Sequence, residues 1–528
     1  MRGSASFRKG LDALQREVGR APEQRAARGL GAVPVGAGPK VLFLTPRSWA
    51  AHVQWEAMVG RALAERGARV SYLTCGGDRP ICDRVHVYEG PPMPCRSCTS
   101  YVHRSLDAHG HRWESLRGLG HVEHRWPELD EMGLQDLRDA TWNGLPLGRL
   151  VQVPVGWYLC NTDLESDPLG CVTYRRFLRS AAAISDEIEV AILRESPDTV
   201  VMLNGLFLFE QVARELCERA GIDVVTYERG YIKDTVFFHR GVSASRYETT
   251  ALWEQERGRP LTSAEDQELD VYLGDRQRGA QSISDFWPAP RFDEPEPGFS
   301  VLFTNVTWDT AVQDRDRCFL NPREWLVETV RWFEQHPQHR LIVRAHPAEV
   351  RTPGARSREP VVDVLTRAIP SLPDNVVVLA PDDPTSSYPL MKGADVALVY
   401  TSTAGMEAVL SGTPCITAGD TQYGGKGFTL DPPDRAAYFE ILERAVRSPE
   451  TMSVDRESAR RYAHFFFFRA ALSSRGWMEE PIAGLARIPG DSRVLKPGGD
   501  SDLDVICRGI LDRMSFMRPR HDDVTAAD

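Results

Sequence analysis

Residues 397–419 read ALVYTSTAGMEAVLSGTPCITAG, and their order decides the fold. The apolar run DVALVY (395–400) gives way to Thr401-Ser402-Thr403 and then to an alanine-rich segment. A short continuous apolar run bounded by turn residues is the pattern of a strand buried on both faces. From about residue 403 the period becomes helical. Met406, Val409 and Leu410 fall on one face, while Thr403, Glu407 and Ser411 fall on another at i, i+4, i+8. Gly412 ends the helix, Pro414 blocks its continuation, and CITAG (415–419) is the next strand. Strand, helix and strand in this order make a parallel α/β unit.

The hydroxyl-rich turn 401–403 therefore stands where a strand ends and a helix begins. Backbone N–H groups there lack helical partners and the helix dipole is positive, so the turn suits a phosphate. Glu407, one turn further on, is placed to accept hydrogen bonds from a ribose diol. The plainer alternative is a helix cap followed by a surface glutamate.

The same alternation extends on both sides. The series holding this stretch begins at FSVLFTNVTWDTA (299–311) and runs through a helix (322–335), HRLIVRAHPAE (339–349) and DNVVVLAP (374–381). An earlier series begins at KVLFLTP (40–46), followed by the helical HVQWEAMVGRALAERG (52–67) and ARVSYLTCGG (68–77). After an irregular insertion (about 75–150) it resumes with a long helix (about 173–195), DTVVMLNG (198–205), a helix (207–221) and IDVVTYERG (222–230). Four prolines in the eleven residues PAPRFDEPEPG (288–298) predict a stiff linker between the two series.

The predicted organisation is a basic, disordered tail (1–39), a first α/β domain (40–287), the linker (288–298) and a second α/β domain (299–450). A helix packing back on the body (451–480) and a C-terminal extension (481–528) complete it. Two Rossmann-like parallel-sheet domains in succession predict a cleft, with ligands at the carboxyl ends of the strands. The aromatic run in ARRYAHFFFFRAAL (459–472) is read as core packing.

Bulk properties narrow the function. The chain has 528 residues, 42% hydrophobic and 26% charged, as in globular proteins. A net charge of −11 argues against nucleic acid as the main partner. No apolar run approaches the roughly 20 residues of a membrane-spanning helix, and the first residues lack the apolar core of a signal peptide. A cytoplasmic location is expected, with the basic tail offering weak contact at the inner face of a membrane. The ten cysteines are then thiols or metal ligands rather than disulfides.

Two further turns join 401–403. In VRAHPAE (343–349) a buried strand ends on His346-Pro347, and an imidazole there can bind phosphate or protonate a departing phosphate oxygen. Pro347 keeps the following helix from absorbing His346. In TNVTWDTA (304–311) Thr304, Asn305 and Thr307 offer donors and Asp309 a helix cap. Three such turns on one sheet edge predict a nucleotide site.

HPAE, followed by VYTSTAGMEAVLSGTPCITAG and YGGKGFT, resembles the capsule polysaccharide biosynthesis family, over about 299–475. That family includes bacterial Kdo transferases and is similar in motif logic to bacterial sialyl- and polysialyltransferases. The resemblance implies a GT-B fold whose C-terminal domain binds the nucleotide sugar. It implies donor-binding roles for His346, Ser402, Thr403 and Glu407, and a cytidine nucleotide, hence a CMP-linked, Kdo- or sialic-acid-like donor. Thr304, Asn305, Pro347 and Thr401 complete the expected donor set. The expected acceptor is a surface polysaccharide or glycolipid. A nucleotide-sugar epimerase, a CDP-polyol phosphotransferase and a non-catalytic polysaccharide-assembly protein are the alternatives.

Glycosyl transfer needs a group to take the acceptor proton. VVTYERGYIKD (224–234) places Glu228 at a strand end before Gly230, where the sialyltransferases resembled here carry an acid-acid-Gly motif; this chain has Glu-Arg-Gly. Glu228 is the candidate base beside His346, against the alternative of an ion pair with Arg229. Asp234, Asn204 and Gly205 are candidates for contact with the sugars. No cofactor is required for this chemistry. Cys75, Cys82, Cys95 and Cys98 are spaced C-x₆-C-x₁₂-C-x₂-C in a segment poor in core residues, so a closed structural zinc site is expected. An iron–sulfur cluster and four unlinked thiols are the other readings.

Overall fold

The computed structural model describes residues 21–77, 79–116, 126–278, 291, 295–352, 354–481 and 484–520. The chain divides into two compact units, residues 1–158, 164–247 and 468–528 forming one and residues 159–163 and 248–467 the other.

In the first unit, six strands appear in chain order: β1 (Lys40–Thr45), β2 (Arg69–Thr74), β3 (Trp113–Ser115), β4 (Thr199–Leu203), β5 (Asp223–Arg229) and β6 (Thr235–Arg240). The second unit holds β7 (Phe299–Phe303), β8 (Arg340–Arg344), β9 (Val376–Leu379), β10 (Val396–Val399) and β11 (Cys415–Thr417). A last short strand, β12 (Leu472–Ser473), returns to the first sheet.

The first sheet has the order β12-β6-β5-β4-β1-β2-β3. From β3 to β5 it is parallel, and β6 and β12 are antiparallel additions. The second sheet, β11-β10-β7-β8-β9, is parallel throughout. Each parallel set follows the 3-2-1-4-5 order of the Rossmann-type α/β fold. The switch in strand order falls between β1 and β4 in one sheet and between β7 and β10 in the other. Both sheets are covered by helices on their faces, which explains their continuous apolar strands: β4 and β7 are buried at all five positions.

The opening stretch folds as its periodicity dictates. β10 is followed by the helix Ala404–Ser411, Gly412 takes φ = 99° at its C-cap, and β11 follows. Met406, Ala408 and Val409 are fully buried. Gly405 is required by close packing, because a Cβ there would meet the Tyr423 hydroxyl and the Cys415 sulfur.

The domain limits differ from the sequence reading. Residues 248–278 belong to the second unit, so the division falls at 247/248 and not at the proline-rich stretch. Of that stretch, residues 288–290 and 292–294 lie outside the described residues. Arg291 exchanges backbone hydrogen bonds with Pro384 and Ser386, which fixes it to the second unit. The described part of the C-terminal segment, 484–520, is no appendage. Its helix Ser501–Asp512 buries Leu503, Val505, Ile506 and Ile510 in the first unit's core. Residues 1–20 lie outside the described residues, but 22–28 form a helix. Gln24 donates to Ser105 at 3.0 Å and Tyr101 donates to Glu23 at 2.9 Å, while Ala27 and Leu30 join the first unit's core, so polar and apolar contacts together order this segment. The irregular insertion contributes helices Cys95–His109, Leu134–Arg138 and Leu147–Leu159 and the edge strand β3. The FFFF run forms a single π-helical turn, with Phe465, Phe466 and Phe467 buried. Among the described residues no helix is long and apolar enough to cross a membrane.

Candidate functional site

Register brings the three turns of the second unit level with one another. Phe303 of β7 pairs with Arg344 of β8 on one side and Val399 of β10 on the other. The chain therefore leaves all three strands at the same height, at the switch in strand order. Side chains then stitch the turns together. The His346 N–H donates to the Thr304 hydroxyl at 3.0 Å, and the Thr401 N–H donates to Asn305 Oδ1 at 3.3 Å. Arg344 is spent on the carbonyls of Ala380 and Asp383.

His346 is oriented by its own turn. Pro347 occupies the N-cap of the short helix Ala348–Arg351, and the Ala348 N–H donates to His346 Nδ1 at 3.1 Å. Nδ1 is thus the acceptor and Nε2 carries the proton. Burial and the Arg344 guanidinium push the imidazole pKa down to about 4. At neutral pH His346 is a neutral N–H donor and not an imidazolium.

At the 401–403 turn, the Ser402 hydroxyl accepts from the Ala404 N–H at 3.3 Å, just ahead of the helix. The Thr401 hydroxyl is buried and has no hydrogen-bond partner among the described residues. Thr403 is half-buried at the N-cap position, with its carbonyl accepting from Glu407 N–H. Tyr423 donates to the Ser402 carbonyl and thereby ties the glycine-rich loop 424–427 to this turn. Asp431 shapes that loop by accepting from Thr417, Thr429 and the Gly425 N–H. Lys426 at its tip donates to Thr250 at 2.5 Å, and its pKa is lowered by burial.

Glu407 is 7% exposed, and its carboxylate is fully engaged. Arg276 donates to Oε1 from Nε and Nη2, and the Tyr388 hydroxyl donates to Oε2 at 2.7 Å. The ribose contact expected from sequence competes with this ion pair. Asp309 caps its turn by accepting from the Ala311 N–H, and burial raises its pKa.

In the first unit, Leu203 of β4 pairs with Tyr227 of β5, so Asn204 and Glu228 emerge side by side. Asn204 donates to Glu228 Oε2 at 2.9 Å, and the Arg229 N–H donates to Oε1 at 2.8 Å. The Arg229 side chain turns elsewhere, to Glu480 at 2.7 Å. Gly205, at φ = 81°, is packed so that a Cβ would press on Arg214 and Thr226. Gly230 has no room for a Cβ beside Thr235. Asp234 has a structural placement: it accepts the Glu480 N–H at 2.7 Å, lies 3.7 Å from Arg475, and its carbonyl receives the Ser474 N–H.

Two groups on this edge escaped the sequence reading. Arg47, directly after β1, forms a buried bidentate pair with Glu210 at 2.7 and 2.8 Å and reaches Asp83 at 3.0 Å. Glu56 is buried against the hydroxyls of Thr45 and Tyr227, and burial pushes its pKa up to about 8. The arginine of LTPR was the one legible signal, a cation immediately after a strand. Cys75, Cys82, Cys95 and Cys98 line one small cavity. Among the described residues no three His, Cys, Asp or Glu side chains stand at the spacing of a bound metal ion.

Comparison with known proteins bears on the second unit most directly. A family model described as "Capsule polysaccharide biosynthesis protein" matches residues 309–453, which include His346 and the 401–407 segment. No match was found among curated proteins. Solved structures similar to this chain include two of KpsC from Thermosulfurimonas dismutans. The beta Kdo 2,7 transferase is 16% identical over 57% of this chain and 85% of that one, with a TM-score of 0.32. The beta Kdo 2,4 transferase is 16% identical over 56% and 85%, with a TM-score of 0.37. The UDP-GlcNAc 2-epimerase of Neisseria meningitidis is 11% identical over 80% and 97%, with a TM-score of 0.24.

Proposed function

We propose that the chain is a glycosyltransferase that moves a sugar from a nucleotide-activated donor to a surface polysaccharide or glycolipid. The observation that carries this reading is the stitched set of strand-end turns in the second unit. Thr304, His346 and Thr401 meet at the switch in strand order, and the segment 309–453 that holds two of the three matches the capsule polysaccharide model. Ligands of open α/β sheets sit at this place.

In this reading the donor phosphate lies against the 401–403 turn, where the buried Thr401 hydroxyl supplies a donor and the dipole of the Ala404–Ser411 helix is positive. His346 donates its Nε2–H to a phosphate oxygen and stabilises the charge that develops as the sugar leaves. Glu228 takes the acceptor proton, with Asn204 fixing the orientation of its carboxylate. The donor proposed is a CMP-linked acidic sugar of the Kdo or sialic acid type.

The test is to incubate the full chain with CMP-, CDP-, UDP- and GDP-linked sugars and follow nucleotide release. Release of CMP alone, stimulated by a polysaccharide or glycolipid acceptor, is expected. Isomerisation of a UDP-sugar without acceptor would make the chain an epimerase. No consumption of any donor would make it a non-catalytic assembly protein.

A further inference from the structure

Four cysteines separated by up to 23 positions of sequence come to one place in the first unit, at the carboxyl ends of β1 and β2. Cys75 follows β2 directly, Cys82 lies in the next loop, and Cys95 and Cys98 occupy the first turn of the helix Cys95–His109. All four line a cavity of about 20 Å³, together with Pro46, Arg47, Met93 and Phe209. That volume holds roughly one water-sized body, too little for an organic ligand.

Backbone N–H groups contact three of the four sulfurs. The Gly77 N–H donates to Cys75 Sγ and the Ser48 N–H donates to Cys98 Sγ, each at 3.3 Å. The Arg84 N–H faces the Cys82 sulfur. Two of these are contacts from residue i+2 to the sulfur of residue i, in which the chain turns around its own cysteine. Gly77, at φ = 87°, makes the first turn possible and lies against Cys95, 3.5 Å from the position of a Cβ. Arg47, Arg79 and Arg84 line the same cavity with Asp83, and Arg47 and Arg79 are already paired with Asp83, Glu210 and Glu187. Burial holds the Cys75 and Cys82 thiols above the ordinary thiol pKa, so a bound metal displaces their protons.

We propose that Cys75, Cys82, Cys95 and Cys98 form a closed tetrathiolate site for one zinc ion. The thiols ring the cavity without yet standing at ion spacing, so binding draws them inward by rotation about their Cα–Cβ bonds. With four protein ligands and no open position, the site is structural. It fastens the loop 75–98 to the segment after β1 through Ser48, and so fixes the carboxyl edge of the first sheet. The inference rests on the first unit alone and is independent of the activity proposed above.

The experiment is metal analysis of the full chain purified without chelator, with thiol titration before and after treatment with a zinc chelator. About one zinc per chain is expected, with the four thiols protected until the chelator is added. Cys95→Ser/Cys98→Ser is expected to lose the zinc, while Cys171→Ser, outside the cluster, keeps it. Less than about 0.2 zinc per wild-type chain overturns the proposal whether or not the double variant folds. A disulfide among the four cysteines also overturns it, as does iron with acid-labile sulfide, since a cluster is then the occupant.

Discussion

Arg276 and Glu407, 131 positions apart in sequence, are joined by two hydrogen bonds to a single carboxylate oxygen, at 3.0 and 2.8 Å. Arg276 comes from the helix Ser263–Gln277, and Glu407 from the helix that starts at the hydroxyl-rich turn. The pair therefore anchors an upstream helix to the candidate donor turn. Both groups are largely withdrawn from solvent, with side chains 21% and 9% exposed.

Removing one partner leaves the other charged and desolvated. Arg276→Met is expected to lower stability by about 3–5 kcal/mol, the usual cost of breaking a buried pair. The double variant Arg276→Met/Glu407→Gln is expected to lose less than the sum of the single losses. Thermal unfolding of the four proteins measures this. A Glu407→Gln protein with unchanged melting and weakened donor binding would instead assign Glu407 to the ribose.

His346 gives a prediction in activity and another in pH. His346→Ala is expected to abolish transfer and leave the melting temperature nearly unchanged, because its ring fills a half-buried rim position. The folded pKa is about 4 against an ordinary 6.5, so between these values the unfolded chain binds the proton and the folded chain does not. This group's contribution to stability therefore rises with pH from about 4 to 6.5 and is level above that. Denaturant unfolding of the wild type and of His346→Asn across this window should show a shallower slope in the variant.

Glu228 tests the other side of the chemistry. Its carboxylate is oriented by Asn204, while the Arg229 side chain pairs with Glu480. Glu228→Gln keeps the shape and removes the base. Turnover is expected to fall by about 10²–10⁴ with donor affinity retained. Equal losses of turnover and binding would mean that Glu228 serves the local structure.

The parts legible in the sequence were those set by local patterns. Continuous apolar runs marked β1, β4, β7, β8 and β10, and the glycines, prolines and hydroxyl-rich stretches after them placed the turns. Strand register then carried Thr304, His346 and Thr401 to one level, which is why turns read separately proved to be neighbours. What escaped was set by distant packing. Nothing in ALVYTSTAGME reveals that Arg276 waits for Glu407. The unit boundary at 247/248 has no proline or glycine run, because membership depends on which core residues 248–278 join. The helix Pro22–Arg28 reads as a polar tail because Gln24 and Glu23 are buried through hydrogen bonds that only the folded partners supply.

Glu56 offers the sharpest electrostatic prediction. Its carboxyl lies in the first unit's core, where the Thr45 hydroxyl donates to one oxygen and the Tyr227 hydroxyl to the other. Desolvation outweighs these two bonds and raises the folded pKa to about 8, against an ordinary 4.5. The folded chain thus keeps a proton that the unfolded chain has lost throughout this window. Glu56 supports the fold fully below pH 4.5, and that support fades as pH rises to about 8. Glu56→Gln mimics the protonated side chain and does not titrate. The variant is expected to match or exceed the wild type in stability at pH 8 and to fall below it near pH 4.5, so that the two stability–pH curves cross. Unfolding by denaturant at half-unit pH steps measures both curves. Parallel curves would mean that Glu56 is ionised in the folded protein, with the Arg47 guanidinium as the cation that compensates its charge.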